Sequence, residues 1–217
     1  MPEDKGLKYD QAIVELAHKH IHNHTCQILS KGGAFGYEPY GSGVLVKIDQ
    51  LYFIFSASHV LEKMEQEDLY INTPEGIKPI QGAVELTDLT KHDNIDVAYV
   101  LLDPKFGDLL EKKYKFLPKD LLRKKYDDSG SVYLTMGYPV VNIKDDPATK
   151  TIRTGSSFVI HPLAKDKVYE YYKYSRELHY VLQYAGKGTD LKTNQKKKIN
   201  KAPHGMSGGG LWRITFF

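Results

Sequence analysis

The chain has 217 residues, a formal net charge of +3 and a single cysteine, Cys26. That length suits one large or two small lobes around a buried core, the charge is too mild to argue for nucleic acid, and one thiol excludes an internal disulfide and is compatible with a reducing compartment. No apolar stretch reaches the length of a membrane span, and the opening Met1-Pro2-Glu3-Asp4-Lys5 lacks the layout of a signal peptide, so the expectation is a cytoplasmic protein with no membrane and no nucleic-acid partner.

From Asp10 to His20 the pattern is helical: Asp10 can cap the first turn, and Ile13, Leu16, Ala17 and His20 share one face. Residues 1–24 form an N-terminal helix and lead-in. His18, His20, His22 and His24 alternate across the expected helix end. That spacing scatters the rings, and no cysteine or carboxylate cluster completes a ligand set, so no metal is expected. After Cys26 the chain becomes strand-rich. Gly43–Ile48 and Leu51–Phe55 are β-branched and aromatic runs separated by a turn at Asp49-Gln50. The second run ends in Ser56-Ala57-Ser58-His59, where the composition turns helical, so His59 stands at a strand end beside a short helix. Further strands are expected at Leu69–Asn72, Ile77–Ile80 and Ala83–Leu86. In Asn94–Leu102, Asp96 enters an apolar strand, where burial is costly without a hydrogen-bond partner. A histidine N–H would be one such partner.

Residues 103–130 break this rhythm with Asp103-Pro104, Pro118 and Asp127-Asp128-Ser129-Gly130, and read as a lysine-rich, partly helical connection between lobes. Strands are expected again at Ser131–Met136, Thr151–Ile160, Val168–Tyr174 and Leu178–Tyr184, with the tyrosines of the third packing on a sheet. Gly186–Lys201 is polar and lysine-rich and reads as a solvated loop. No repeat of solenoid length is present.

One loop asks for chemistry. In His204-Gly205-Met206-Ser207-Gly208-Gly209-Gly210-Leu211-Trp212 a serine sits among four glycines, directly before an apolar strand. Glycine permits positive φ and close approach, and a serine in such a turn has N–H groups available to a developing oxyanion. A plain turn is the bland alternative. A phosphate-binding loop lacks its lysine. A hydrolase elbow at Gly205–Gly209 needs a following helix and a later histidine, yet none of the ten residues after Ser207 is histidine and they read as a strand. The order His59, Asp96, Ser207 is instead a known triad order.

With these residues in place, the chain resembles the chymotrypsin/trypsin-like serine peptidases, most of all their cysteine-poor bacterial branch of glutamyl endopeptidase-like and HtrA-like proteases. Four blocks carry the resemblance: Gly41-Ser42-Gly43-Val44-Leu45-Val46, Ser56-Ala57-Ser58-His59-Val60, Ile95-Asp96-Val97-Ala98 and Gly205-Met206-Ser207-Gly208-Gly209-Gly210-Leu211. Each is short; together they stand in the family's order. The resemblance implies an all-β protein of two antiparallel Greek-key barrels, residues 25–102 carrying His59 and Asp96 and residues 131–217 carrying Ser207. It implies a serine endopeptidase acting on protein or peptide substrates, with Ser207 as nucleophile, His59 as general base and Asp96 as its orienting acid. The N–H groups of Gly205 and Ser207 would form the oxyanion hole. Asp93 is the competing acid, and no metal or organic cofactor is required.

Two departures accompany it. The family's zymogen-type members carry an aspartate immediately before the serine, where this chain has Met206, so activation by a freed N-terminus is not expected. Family members also have two further strands where this chain stops at Phe217. An incomplete second barrel is therefore expected, with self-association through the edge of the C-terminal strand. The position matching the specificity-pocket base, six before the serine, is Lys201, which would favour an acidic side chain; His204 is a second candidate substrate-binding residue. The alternative of another class is a non-catalytic trypsin-like module binding peptides or partner proteins through its sheet edges. Intact His59, Asp96 and Ser207 speak against that alternative, because binding needs none of them.

Overall fold

In the computed structural model the residues described are 12–13, 15–17, 19–33, 36–87, 95–122, 132–140, 144–146, 151–153, 157–161, 164–177, 179–182, 187–190, 195–198 and 204–214. The first half of the chain alternates apolar and polar residues with period two, and it folds accordingly into an eight-stranded sheet. Its path runs β5 (Gly76–Pro79), β4 (Tyr70–Thr73), β1 (Thr25–Lys31), β2 (Tyr37–Ile48), β3 (Leu51–Ser56), β7 (Ala98–Leu102) and β6 (Gly82–Leu86). A short β8 (Leu117–Pro118) pairs in parallel with β2. All other pairings are antiparallel, and a bulge between Ile28 and Leu29 bends β1 against β2. Along β3 the alternation is visible residue by residue: Tyr52, Ile54 and Ser56 turn inward while Leu51, Phe53 and Phe55 turn outward. The sheet curls around a core that includes Ile28, Leu45, Ile54, Leu61, Ile71 and Val100. Each such side chain contributes about 1.5–3 kcal/mol of burial.

The connection after β7 belongs to this first layer as far as residue 122. Helix α3 (Pro104–Glu111) opens with proline in its first turn, where a missing N–H costs nothing. It drops Phe106 and Leu110 into the same core, joined by Phe116. The Tyr52 hydroxyl ties the helix to the sheet, since it lies 3.0 Å from Asp108 Oδ1 and 2.7 Å from Glu111 Oε2.

The second half is smaller. Strand β9 (Val132–Gly137) is flanked by β12 (Ser157–His161) and β15 (Leu211–Ile214) in a three-stranded antiparallel sheet. Two separate pairs, β10 (Lys144–Asp146) with β11 (Thr151–Arg153) and β13 (Lys187–Asp190) with β14 (Gln195–Lys198), accompany it. Among the described residues this second barrel is incomplete. The N-terminal helix α1, helical at residues 12–13, 15–17 and 19–20, covers it: Ile13, Ala17 and Ile21 bury against Leu134, Met136 and Tyr138.

Several sequence expectations shift. On α1 the buried stripe is Ile13, Ala17 and Ile21, whereas Leu16 and His20 face solvent. The steps 13 to 17 and 17 to 21 are single i+4 turns, so His20 and Leu16 fall off that row. Val168–Tyr174 was expected as a strand; it is the helix α4 (Asp166–Tyr172), closed by Lys173 at φ +57°. Only Tyr169 of its tyrosines is buried, while Tyr171 is 79 % exposed, so the rings of Tyr171 and Tyr172 do not pack on a sheet. Asp166 in the first turn favours that helix end. Gly186–Lys201, expected as a loop, contains the β13–β14 hairpin. Thr151–Ile160 is two strands, β11 and β12, and the described part of Leu178–Tyr184 holds an isolated bridge at Leu182.

Candidate active site

The β3 strand ends at Ser56 and the chain turns through Ala57 into one helical turn, α2 (Ser58–Leu61). A helix start leaves N–H groups without intrahelical acceptors, and Ala57 has no side chain with which to cap them. A carboxylate from elsewhere does so: the His59 N–H donates to Asp96 Oδ1 at 3.0 Å. The other oxygen, Oδ2, lies 2.5 Å from His59 Nδ1. One carboxylate therefore holds both the backbone and the ring of the same histidine. Because the carboxylate accepts, Nδ1 carries the proton, which leaves Nε2 as the acceptor of a neutral ring. Asp96 stands just before β7, which begins at Ala98. Both side chains keep solvent access, His59 at 53 % and Asp96 at 40 %. Asp96 is thus an exposed, partnered acid rather than one buried in its strand.

The serine loop reaches the end of β3, just before His59, from the second sheet. Gly205 and Gly208 adopt φ +88° and φ +80°, a region that side chains resist. Gly208 sits directly on the residues preceding His59: a Cβ there would lie 2.0 Å from Ser56 Oγ and 2.9 Å from the Ala57 nitrogen. The four consecutive carbonyls from His204 to Ser207 are engaged. His204 O accepts from Val140 N at 2.8 Å, Met206 O from Gly209 N at 2.8 Å and Ser207 O from Ser42 N at 2.9 Å, while Gly205 O accepts from Ser42 Oγ at 2.7 Å. In a trans peptide the N–H points opposite to the preceding C=O. The Gly205 and Ser207 N–H groups are therefore directed away from those anchors, and neither donates to another described residue. The arrangement offers two N–H donors beside a serine whose loop packs on Ser56 and Ala57, just before His59; among the described residues no hydrogen bond joins Ser207 Oγ to the His59 ring.

Ser42 and Ser56 were not singled out as site residues by sequence, although each lies in one of the four blocks. Both are buried. Ser56 Oγ donates to Ser42 O at 2.7 Å, and the Tyr138 N–H donates to Ser42 Oγ at 2.9 Å. The available signal was a serine between two glycines ahead of an apolar run, a costly residue to bury unless its hydroxyl has work. His204 begins the loop and is exposed. Lys201 and Asp93 lie outside the described residues. His20 is exposed, His22 lies near Tyr138 and His24 near Trp212 with its Nδ1 2.8 Å from Lys115 O, so these rings face different neighbours; His18 lies outside the described residues.

No protein-family model and no curated protein matches the sequence. Solved structures do. Neuropsin, a serine protease expressed in the limbic system of mouse brain, superposes with a TM-score of 0.51 at 12 % identity, over 89 % of this chain and 78 % of that one. The fold is trypsin-like. An inactivated protease paralogue of the scabies mite (TM-score 0.49, 16 % identity, 88 % of this chain and 78 % of that one) and the protease Anisep from Arthrobacter nicotinovorans (0.49, 14 %, 89 % and 78 %) are also similar. In the trypsin-like fold of this chain, the first sheet carries His59 and Asp96, and the second carries the Ser207 loop.

Proposed function

We propose that this protein is a serine endopeptidase that hydrolyses peptide bonds through an acyl-enzyme. The observation that carries the reading is the double hold of Asp96 on His59, set against a serine loop whose carbonyls from His204 to Ser207 are tied back by hydrogen bonds. In this reading Ser207 Oγ attacks the scissile carbonyl as His59 Nε2 takes its proton, and Asp96 stabilises the resulting imidazolium. The tetrahedral oxyanion accepts hydrogen bonds from the Gly205 and Ser207 N–H groups, a contribution of about 3 kcal/mol per donor. His59 then protonates the leaving amine, the C–N bond breaks and the acyl group stays on Ser207. Water, activated by His59, releases it and restores the serine. The chemistry needs no metal or organic cofactor. By its match to the family's pocket-base position Lys201 would favour an acidic substrate side chain, and His204, exposed at the start of the loop, is a second candidate for substrate contact.

A peptide library incubated with the protein and read by mass spectrometry tests this reading. Cleavage by the wild type that disappears in Ser207→Ala supports the proposal. No cleavage by a folded wild type, with peptides retained on the protein, would favour the peptide-binding module.

A further inference from the structure

We infer that Ser42 is a positioning residue that sets the conformation of the nucleophile loop, and that its hydroxyl holds the Ser207 N–H in the orientation an oxyanion requires. The inference rests on the peptidase reading for its catalytic consequence, but not for its structural one. Ser42 lies in β2 of the first sheet and has no solvent exposure. Four hydrogen bonds meet on it. Its N–H donates to Ser207 O at 2.9 Å, its Oγ donates to Gly205 O at 2.7 Å, its Oγ accepts from Tyr138 N at 2.9 Å, and its carbonyl accepts from Ser56 Oγ at 2.7 Å. One residue thus grips the loop on both sides of Met206 and, through the same oxygen, the end of β9.

The side chain and the backbone of Ser42 do different things. The backbone bond to Ser207 O is available to any residue in that strand. The hydroxyl alone captures Gly205 O, and it does so at a glycine with φ +88°, where the absence of Cβ leaves neighbouring peptide planes free to rotate. Turning the Gly205–Met206 plane changes the torsions that lead into Met206 and Ser207, and so the direction of the Ser207 N–H. The hydroxyl is also satisfied in both roles, donating once and accepting once. Its removal leaves two buried backbone groups, Gly205 O and Tyr138 N, without their partner. Such groups seek new partners when the chain can move. The glycine-rich loop can move.

Two arms test this with Ser42→Ala and Ser42→Cys, the latter keeping a weak donor and acceptor in place. In the structural arm, a crystal structure of Ser42→Ala is expected to show Gly205 O turned away from residue 42 and Gly205 moved from its φ. An unchanged loop overturns the proposal whether or not the protein is a peptidase. In the kinetic arm, p-nitrophenyl acetate serves as an ester without specificity demands. Ser42→Ala should lose about 10²-fold in kcat, the scale of an ångström-sized misplacement, with KM nearly unchanged, and Ser42→Cys should recover part of the loss. Inhibition by phenylboronic acid, whose tetrahedral adduct fills the oxyanion site, should weaken in parallel. A wild type inert to the ester overturns the peptidase reading and leaves the structural arm to decide on Ser42. An active wild type with equal kcat in Ser42→Ala, assayed well below the melting temperature of both, overturns the positioning role.

Discussion

Gly208→Ala is the sharpest probe of how the serine loop is seated. An added Cβ would lie 2.0 Å from Ser56 Oγ, 2.3 Å from Ser42 O and 2.9 Å from the Ala57 nitrogen. Two of those three atoms are backbone, so rotating a side chain relieves little. The residue also stands at φ +80°, which costs an L-residue about 1–2 kcal/mol. Overpacking adds about 1–3 kcal/mol, so the loss is about 2–5 kcal/mol in all. For a chain of this size that corresponds to a fall in Tm of about 10 °C. Gly76→Ala is the control, because Gly76 has φ +104° but a Cβ there would meet nothing within 4 Å. It should lose only the conformational part, about 4 °C. Calorimetry reads both, and the rate of fluorophosphonate labelling should fall about 10²-fold in Gly208→Ala alone as the loop is pushed off its seat. Equal melting temperatures for the two variants, with unchanged labelling, would refute the seating of Gly208 on Ser56 and Ala57.

The same geometry sets other outcomes. Asp96→Asn should lower turnover by about 10⁴-fold by stabilising the wrong tautomer of His59, while Asp93→Asn should be nearly silent; the reverse ranking in steady-state kinetics would move the acid to Asp93. Burial holds the His24 imidazole below its ordinary value of 6.5, so the unfolded chain binds this proton more readily than the folded one. The stability His24 preserves is complete above that value and is lost as pH falls below it towards the lower folded value; His24→Gln should flatten the urea midpoint between pH 7.5 and 5.5, and an identical slope in both proteins would contradict this. Burial pushes the Cys26 thiol up to about 12, so it should react with Ellman's reagent only after denaturation; stoichiometric reaction in the native protein would place Cys26 elsewhere.

How much was legible from sequence depended on how local the cause was. The strands around His59 were readable because alternation in Leu51–Ser56 reports one buried face directly. Asp96 was readable as a partner for a histidine N–H, but the sequence did not show that α2 lacks its own cap and takes Asp96 for that purpose too. The helix at Asp166–Tyr172 was misread because a tyrosine-rich run favours strands by propensity, and only tertiary placement exposes Tyr171 and Tyr172 while burying Tyr169. Phe106, Leu110 and Phe116 looked like linker residues because their contacts are with strands far away in the chain. The Ser42 junction was invisible for the same reason: its partners Gly205 and Tyr138 are 163 and 96 residues distant.

The central claim is that Ser207 is an activated nucleophile. Incubation of the intact protein with a fluorophosphonate, followed by peptide mapping, reads this directly, since an ordinary serine does not react. A single adduct on Ser207, absent in His59→Ala, is the predicted result. A folded protein that carries no adduct, or one on Ser42 or Ser58 instead, would contradict it.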